Sequence, residues 1–485
     1  MTSSVTKGKT TTPVTQAGYD WKFWRNPENY SKDLPLLKVA ITEWAGNTQF
    51  KNDFELNPKK ALAEKGWESV DILSLQILTD PQLAVTYKND SEETPPLVKE
   101  YRQFIAAKKL HAMSIRDTDV KDERWRKWRE RMVLSTLWRE GPSKYSKLVH
   151  APFTIELTEG CSVGCWFCGV DAEKYQKPVE LNENTKKLFR SILNAFDELA
   201  GTECAQNGFL YWATDPLDHP EYEWFLEEFH NILGYWPQTT TAQGMKHAPR
   251  LRKMFEYIKT KNAFVQRFSM IRPKDLKEIR EYFTPEELFL CEQIPQYDNE
   301  KSPKATSGRT RKLVLKKQER GQKINFDYDL EDTGSIACVS GFLINLVSQS
   351  IKLITPCNAS DEWPLGYRIL GQARFNDGES VFDTIISLIN QYIEDSLRVD
   401  NKINLHRGVK VSHVDSTTLN FSRYGYVVSL KNLRRADLYC RYLSEGDLSM
   451  REICMKLSAE GVDAFETMTT LYKVRDFGVI DEGNV

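Results

Sequence analysis

Residues Thr158–Cys168 read TEGCSVGCWFC, a C-x3-C-x2-C run that follows directly on a stretch alternating as a β-strand does. This spacing allows one short loop to wrap three thiolates around a single iron–sulfur cube, while the fourth iron keeps no protein ligand. Zinc sites and ferredoxin runs also use closely spaced cysteines, but they require a fourth ligand nearby, and the next cysteine is Cys204. Cysteines that merely pack, or an incidental zinc loop, are the competing interpretation. The run predicts a [4Fe–4S] cluster on Cys161, Cys165 and Cys168.

The fuller string CSVGCWFCGV, over residues 161–170, resembles the cluster motif of the radical S-adenosylmethionine (SAM) superfamily. In that family the aromatic residue before the last cysteine, here Phe167, lies near the adenine of SAM. Within the family the string is most similar to maturases of ribosomally made peptides, and among these to the epimerases that install D-amino acids in proteusin-type precursors. The resemblance implies a [4Fe–4S] cluster and S-adenosyl-L-methionine as cofactors, and a precursor peptide with a leader as substrate.

The composition restricts the setting of the protein. The chain has 485 residues and a formal net charge of -2, so nothing global predicts a nucleic-acid partner or an anionic membrane. Its nine cysteines are few for this length and do not indicate a disulfide framework. The N-terminus lacks the apolar core of a signal peptide, and no stretch approaches the roughly 18 apolar residues of a membrane span. These features predict a cytoplasmic protein without membrane or nucleic-acid partners, a setting that an oxygen-sensitive cluster also requires.

The order of predicted elements indicates an α/β protein. From the strand before the cysteine loop onward, strands and helices alternate, and repeated βα units favour a parallel sheet, here a partial (β/α) barrel of the radical SAM type. Such barrels carry their chemistry on loops at the carboxyl ends of strands, which is where the cysteine loop falls. The expected regions are a disordered tail (1–15), a helical N-terminal region (16–148), the partial barrel (149–295), a basic loop with a hairpin extension (296–418) and a winged-helix-like domain (419–485).

Hydrophobic periodicity predicts individual elements within these regions. The predicted barrel strands are Phe153–Leu157, Phe209–Ala213, Thr239–Ala242 and Phe264–Met270, and the predicted helices are Glu183–Leu199, Glu221–His230, Pro249–Ile258 and Lys274–Phe283. Cys291 is expected in an apolar helical stretch. The segment Gln296–Lys323 is rich in lysine and arginine, so we expect a solvated or mobile loop, with contact to an acidic peptide as the alternative. In the N-terminal region, Asn57 and Pro58 predict a helix start.

Two stretches downstream of the barrel alternate as a hairpin. They are Phe342–Val347 and Ser350–Ile354, bracketed by Cys338 and Cys357. The hairpin resembles the first part of the SPASM-type extension, which binds auxiliary clusters in many peptide-modifying members. The later dense cysteine run of that extension is absent from this chain, so the presence of an auxiliary cluster stays open.

The last region resembles the small winged-helix elements that bind leader peptides. A strand at Tyr426–Leu430 is followed by three predicted helices, Leu433–Leu443, Met450–Leu457 and Ala464–Phe477. Capping boxes support the second and third helices, with Ser449 and Glu452 in one and Asp463 and Glu466 in the other.

The resemblance also implies contacts to SAM. Where the family has a Gly-Gly-Glu-like element that holds the amino group of SAM, this chain has Thr214 and Asp215, and a simple turn is the competing interpretation. The fourth predicted strand ends in RFSM, similar to the strand end whose serine contacts the SAM ribose in the family. Ser269 is thus implied at the ribose and Arg267 at the SAM carboxylate, although both fit ordinary strand-end polar residues equally well.

Two cysteines outside the cluster motif bear on the type of reaction. Inverting an α-carbon requires removal of hydrogen from one face and return of hydrogen to the other, and a cysteine S–H bond is weak enough to supply the second hydrogen. Cys338 or Cys357 is therefore the predicted donor, and both fit packing residues of the hairpin equally well. The predicted enzyme is a radical SAM peptide epimerase that takes electrons from a flavodoxin or ferredoxin. A maturase that forms crosslinks or excises a backbone fragment and a non-catalytic leader-binding scaffold are the alternatives.

Overall fold

A computed structural model describes residues 17–88, 93–297, 305–324, 328 and 337–482. The expected disordered tail (1–15) lies outside the described residues. The chain divides into two compact units, one of Met1–Ser114 with Phe283–Leu290 and one of Ile115–Tyr282 with Cys291–Val485. Among the described residues, no helix combines the length and the apolar character that crossing a membrane requires.

The first unit is helical, as the sequence predicts. Its helices are α1 (Leu34–Gly46), α2 (Thr48–Leu56), α3 (Pro58–Ala63), α4 (Ile72–Thr79), α5 (Pro81–Thr86) and α6 (Pro96–Arg116), the last of which ends in the second unit. Asn57 caps α3 by accepting a hydrogen bond from the backbone N–H of Lys60 at 3.2 Å, and Pro58 occupies the first turn as predicted. A core that includes Leu37, Phe50 and Leu75 holds the helices together.

The second unit mixes helices and strands, which confirms the predicted mixed α/β class. Its helices are α7 (Glu123–Tyr145), α8 (Glu183–Ala200), α9 (Thr202–Ala205), α10 (Tyr222–Leu233), α11 (Ala248–Thr260), α12 (Pro273–Tyr282), α13 (Gly308–Glu319), α14 (Gly378–Tyr392), α15 (Ala436–Glu445), α16 (Met450–Ala459) and α17 (Ala464–Asp476). Its strands are β1 (Ala151–Glu156), β2 (Thr158–Glu159), β3 (Lys177–Pro178), β4 (Thr240–Thr241), β5 (Gln266–Met270), β6 (Cys291–Pro295), β7 (Val339–Asn345), β8 (Ser350–Pro356), β9 (Tyr367–Arg374), β10 (Lys410–Asp415), β11 (Thr418–Arg423) and β12 (Tyr426–Leu430).

Strand β1, which leads into the cysteine loop, has parallel neighbours on both sides. It pairs with β7 on one side, and on the other Thr154 forms a single bridge to Phe209. The predicted strand over Phe209–Ala213 is therefore wrong beyond that bridge. The hydroxyl of Thr154 donates to the carbonyl oxygens of Phe209 at 3.1 Å and Tyr211 at 2.6 Å, and this side-chain bonding replaces the backbone ladder that a strand would need.

Strands β4, β5 and β6 form a second sheet that is parallel throughout. The strands predicted at Thr239–Ala242 and Phe264–Met270 are confirmed as β4 and β5. Cys291 begins β6 and lies opposite Gln266 of β5, so its assignment to a helix is wrong. Short apolar runs do not distinguish a buried strand from a buried helix, which explains the error.

The predicted hairpin is confirmed, but it is not a separate extension. Strands β7 and β8 are antiparallel, with Phe342 opposite Leu353, and β9 continues the same sheet. Because β7 also pairs with β1, the hairpin belongs to the sheet that carries the cysteine loop. The hairpin therefore supports the strand that leads into the cysteine loop.

The segment Gln296–Lys323, expected to be a solvated loop, contains helix α13. Lysine, arginine, leucine and glutamine are good helix formers, so a few buried side chains such as Val314 suffice to hold a charged helix in place. Residues 298–304 of the segment lie outside the described residues. The expected loop is therefore wrong over 308–319, because a high content of charged side chains does not exclude a helix.

The C-terminal region consists of an antiparallel three-stranded sheet, β10–β11–β12, followed by α15, α16 and α17. The predicted strand and three helices are confirmed, and β10 and β11 precede them. Ser449 and Glu452 form the predicted capping box, with mutual hydrogen bonds of 3.2 and 2.6 Å. At Asp463 only half of the predicted box exists: Asp463 accepts from the N–H of Glu466 at 3.1 Å, but the Glu466 carboxylate accepts from the N–H of Arg434.

Candidate active site

The loop that carries the three cysteines follows the carboxyl end of β1. The short strands β2 and β3 pair antiparallel and close its base. Gly160 turns the chain into the loop with a φ of 76°, and a Cβ at this position would lie 2.4 Å from the carbonyl oxygen of Lys174. Only glycine meets both conditions. The local sequence therefore brings Cys161, Cys165 and Cys168 onto one closed loop.

The three thiols lie close enough to affect one another's ionisation. Burial, followed by the charges of Cys161 and Cys168, raises the pKa of Cys165 to about 12. Burial also raises the pKa of Cys161 to about 11, against the lowering effect of a hydrogen bond from the backbone of Val163. The sulfur of Cys168 accepts a hydrogen bond from the N–H of Ala172 at 3.3 Å. Cys161 and Cys165 would stay protonated near neutral pH unless a metal bound them, because a coordinated metal removes the thiol proton.

Geometry and donor chemistry together show which group the loop suits. Within the described ranges, no group of three or more histidine, cysteine, aspartate or glutamate side chains is arranged to hold a metal ion. In an iron–sulfur cube, however, each cysteine ligates a different iron, so the cluster keeps the sulfurs apart instead of gathering them on one ion. Three neighbouring thiols on one closed loop, with an N–H donor on one sulfur, are a donor set that a cubane can use.

Asp218, which sequence reasoning missed, holds the first part of the cysteine loop. Its carboxylate accepts hydrogen bonds from the backbone N–H of Ser162 at 2.8 Å and from the hydroxyl of the same residue at 2.5 Å. The side-chain amide of Gln243 also donates to it, at 2.8 Å. The aspartate thereby joins the loop to the segment after β4. The only available signal was a second acidic residue three positions after Asp215.

Arg309 of α13, also missed, holds the second part of the loop. Its guanidinium donates to the carbonyl oxygen of Cys165 at 3.1 Å, to the carboxylate of Asp171 at 3.2 Å and to the carbonyl oxygen of Ala172. Its backbone N–H donates to the carbonyl oxygen of Cys168 at 2.8 Å. Sequence reasoning missed it because one arginine among many in a basic segment carries no distinguishing pattern.

Gly308 explains how α13 comes so close to the loop. Its φ is 53°, and a Cβ there would lie 2.6 Å from the carbonyl oxygen of Cys168 and 2.5 Å from that of Gly169. The absence of a side chain allows the first turn of the helix to lie directly against the loop backbone.

A cavity of about 380 Å³ lies beside the cysteine loop, within the size range of small-molecule sites. Its wall includes Val163 of the loop, the chain after β4, the carboxyl end of β5 and one side of α12. Ser269, implied at the SAM ribose, lines it. Its charged groups carry both signs and include Lys246 and Glu278. The cavity is thus suited to a zwitterionic ligand adjacent to the cysteine loop.

Asp215 does not line this cavity, and its carboxylate is already fully engaged. It accepts hydrogen bonds from the hydroxyl of Thr241 at 2.9 Å, the N–H of Ala242 at 2.8 Å and the N–H of Leu217 at 3.1 Å. Burial raises the pKa of Asp215 to about 6 in spite of these bonds. The hydrogen bonds from Leu217 and Ala242 fit the interpretation as a turn residue, and the implied contact with the amino group of SAM stays a prediction. Thr214, half-buried, is likewise outside the cavity wall.

Arg267 lies in a different group of polar side chains, with Cys338. Its guanidinium pairs with the carboxylate of Glu292 at 3.1 Å and is 34% exposed. The hydroxyls of Tyr211 and Thr240 lie 2.7 Å apart nearby. Burial raises the pKa of Cys338 to about 11, against the lowering effect of the Arg267 charge. Arg267 is therefore committed to a carboxylate of the chain itself, and it does not line the cavity beside the loop.

Cys357 occupies quite different surroundings. Its side chain is 2% exposed, whereas that of Cys338 is half-buried. Burial raises the pKa of Cys357 to about 11, against the charges of Arg368 and Arg139. The two thiols that the sequence left unranked thus differ in accessibility.

Phe167, implied at the adenine of SAM, is half-buried and packs edge-on against Trp166 with ring centroids 5.5 Å apart.

Fold and site define a mixed α/β protein with a three-cysteine loop at the carboxyl end of a parallel strand, beside a cavity of ligand size. No family model matches the chain. It is 30% identical over 482 residues to the uncharacterized protein y4wI of Sinorhizobium fredii, covering 96% of this chain and 91% of that protein. The chain belongs to the same family as y4wI.

Among solved structures, the chain is similar to BtrN in complex with AdoMet and 2-DOIA. That likeness covers 50% of this chain and 82% of BtrN, at 12% identity and a TM-score of 0.29. A likeness at this level does not establish a common fold.

Proposed function

We propose that this protein is a radical SAM peptide epimerase that converts L-residues to D-residues in a ribosomally made precursor peptide. The main support is the position of the cysteine loop, which follows the carboxyl end of β1 and supplies Val163 to the wall of the 380 Å³ cavity. Ligands of proteins built from parallel strands bind at the carboxyl ends of those strands. On this proposal β1 and the sheet of β4, β5 and β6 belong to a partial βα barrel.

Cys161, Cys165 and Cys168 would hold the [4Fe–4S] cluster, and the cavity beside them would hold SAM. When bound, these groups supply a 5'-deoxyadenosyl radical, which forms together with methionine when one electron splits SAM. The hydroxyl of Ser269 would donate to a ribose oxygen, and the opposite charges on the cavity wall would hold the amino-acid part of SAM. A peptide α-carbon from which this chemistry had removed a hydrogen atom would be left as a carbon-centred radical.

Cys338 is the proposed donor of the returning hydrogen. It is half-buried beside Arg267 and Tyr211, whereas Cys357 is almost fully enclosed next to Arg368. The S–H bond of Cys338 would break as a C–H bond forms on the opposite face of the α-carbon, which leaves a sulfur-centred radical. One electron and one proton, supplied by the reductant and by solvent, restore the thiol. The C-terminal β10–β12 sheet with α15–α17 is the proposed holder of the leader peptide.

Peptide products made in deuterated water test this function. The thiol exchanges its proton with solvent, so each inverted α-carbon should carry one deuterium by mass spectrometry, and chiral analysis should find D-residues at those positions. D-residues without solvent deuterium would contradict hydrogen return from a thiol. Crosslinked products without D-residues would identify a crosslinking maturase instead.

Two cysteine variants test which thiol donates. With Cys338→Ala we expect 5'-deoxyadenosine to form while D-residues are lost, because hydrogen removal does not need the thiol. Cys357→Ala is the matched control, since it removes the other hairpin thiol, and it should retain epimerisation. The reverse pattern would assign the donor role to Cys357.

A further inference from the structure

A row of cations on α13 has no role in the site described above. The segment from Gly308 to Lys323 contains seven lysine and arginine residues but a single carboxylate, Glu319. Lys312, Lys316 and Arg320 are spaced by four residues and are all exposed, so they lie along one face of the helix. We name these three residues the α13 stripe.

One end of the stripe touches the cysteine loop. Arg309, at the start of the helix, donates its backbone N–H to the carbonyl oxygen of Cys168 at 2.8 Å, and Lys312 pairs with Asp171 of the same loop. At 1.5 Å per residue, Arg320 lies about 16 Å further along the helix axis than Arg309. The stripe is therefore a solvent-exposed path of positive charge that begins at the loop of the three cysteines.

Among the residues that the structure describes, the outer part of the stripe has no carboxylate partner. Arg311 pairs with Asp361 at 2.7 Å, but Lys316 and Arg320 form no ion pair within the part of the chain that the structure describes. Leu315, 36% exposed, lies one turn after Lys312 on the helix surface. A group of exposed cations attracts an acidic surface and accelerates its association.

We propose that the α13 stripe is the docking surface for an acidic protein that donates single electrons, as flavodoxins and ferredoxins do. This inference rests on the proposed function, which requires one electron at the cluster for each SAM that is split. In the transfer the donor is oxidised by one electron, the cluster is reduced by one, and no bond forms or breaks. An exposed helix face with one exposed leucine suits a brief, charge-guided encounter better than the tight binding of an extended peptide.

Neutralisation of the outer stripe tests the proposal. The variant is Lys316→Gln with Arg320→Gln, which leaves the contacts of Arg309 and Lys312 with the loop in place. Its matched control is Lys253→Gln with Lys259→Gln on α11, which removes the same charge from exposed positions elsewhere in the unit. Reduction of the cluster is followed by absorbance in a stopped-flow instrument, once with fully reduced flavodoxin and once with dithionite.

We expect the stripe variant to be reduced by flavodoxin about tenfold more slowly than the wild type at low salt, because steering by charge contributes factors of 10 to 1,000 to association rates. The difference should shrink at high salt, and dithionite should reduce both proteins equally. The control variant should behave as the wild type does.

Equal flavodoxin rates for the stripe variant and the wild type would overturn the proposal, and so would an equal loss with dithionite. Weaker binding of a precursor peptide to the stripe variant, with unchanged flavodoxin kinetics, would also overturn it and assign the stripe to the peptide. Failure of the proposed function is recognised separately: wild-type enzyme reduced by dithionite would then make no 5'-deoxyadenosine from SAM.

Discussion

Replacement of Arg309 by alanine should loosen the cysteine loop without unfolding the protein. The side chain donates to the carbonyl oxygens of Cys165 and Ala172 and to the carboxylate of Asp171, three acceptors on the segment that the cluster must organise. The backbone N–H that bonds to Cys168 is retained in alanine, so α13 keeps one of its attachments.

The structure allows the size of the effect to be worked out. Hydrogen bonds from a charged donor contribute about 1.5 to 3 kcal/mol each, and three of them give an upper limit near 9 kcal/mol. Arg309 is 28% exposed, so water competes for its donors, and the loop relaxes after the loss. We therefore expect about 2 kcal/mol, which corresponds to about 30-fold weaker retention of the cluster at 1.4 kcal/mol per factor of ten.

Loss of iron to a chelator is the appropriate assay. Proteins reconstituted without oxygen are mixed with a chelator, and bleaching of the cluster absorbance gives the rate of iron loss. Arg311→Ala is the matched control, because Arg311 lies on the same helix but its ion pair among the described residues is with the exposed Asp361, not with the cysteine loop. Arg309→Lys should be intermediate, since a lysine provides one point charge instead of a planar fork. Equal rates for Arg309→Ala and Arg311→Ala would refute the role of Arg309, and matching thermal unfolding curves would show that both variants are folded.

Three further outcomes follow from single side chains. Asp218→Ala removes the acceptor of both Ser162 hydrogen bonds. For a loss of about 1 kcal/mol we expect about fivefold weaker retention of the cluster, measured as iron content after reconstitution at limiting iron. Burial raises the pKa of Asp215 from 3.8, its value in an unfolded chain, to about 6. Its contribution to the stability of the folded state, about 3 kcal/mol, is therefore complete below pH 3.8 and is lost as the pH rises through about 6. In urea titrations at several pH values, Asp215→Asn should abolish that dependence, and an unchanged pH profile would disprove the assignment. Burial raises the pKa of Asp481, but the hydrogen bonds from Arg368 together with the neighbouring positive charges, Arg368 and Arg139 among them, lower it to about 2. Its stabilisation is therefore present above pH 3.8 and lost as the pH falls through about 2. Arg368→Ala leaves the Asp481 carboxylate without its main partner, so we expect the free energy of unfolding to fall by about 3 kcal/mol at neutral pH. A fall of less than about 1 kcal/mol would contradict a stabilising role for the Arg368–Asp481 pair.

Much of this protein could be recognised from local patterns in the chain. The cysteine spacing, the strand before it, helix α8, the β7–β8 hairpin and the three C-terminal helices all appear in the structure close to their predicted limits. Each of these features depends on residues within a few positions of one another, so hydrophobic periodicity and capping residues are enough to reveal it. The same patterns misplaced Cys291 and the segment around α13, where an apolar or charged run fits more than one structure.

The arrangement of the candidate site depends on pairings that no local pattern contains. Arg309 meets Cys165 across 144 positions of sequence, and β7 pairs with β1 although Val339 follows its partner Ala151 by 188 positions. Asp215 stands where the family has the glutamate of its Gly-Gly-Glu-like element, and only the folded chain brings the hydroxyl of Thr241 and the N–H of Ala242 to its carboxylate. Cys338 and Cys357 look equivalent along the chain, and only the packing of the surrounding strands leaves one half-buried and the other enclosed. The chain alone therefore indicates which groups are available for the chemistry, while tertiary packing determines which of them are free to act, because burial and hydrogen bonding depend on neighbours that are distant in sequence.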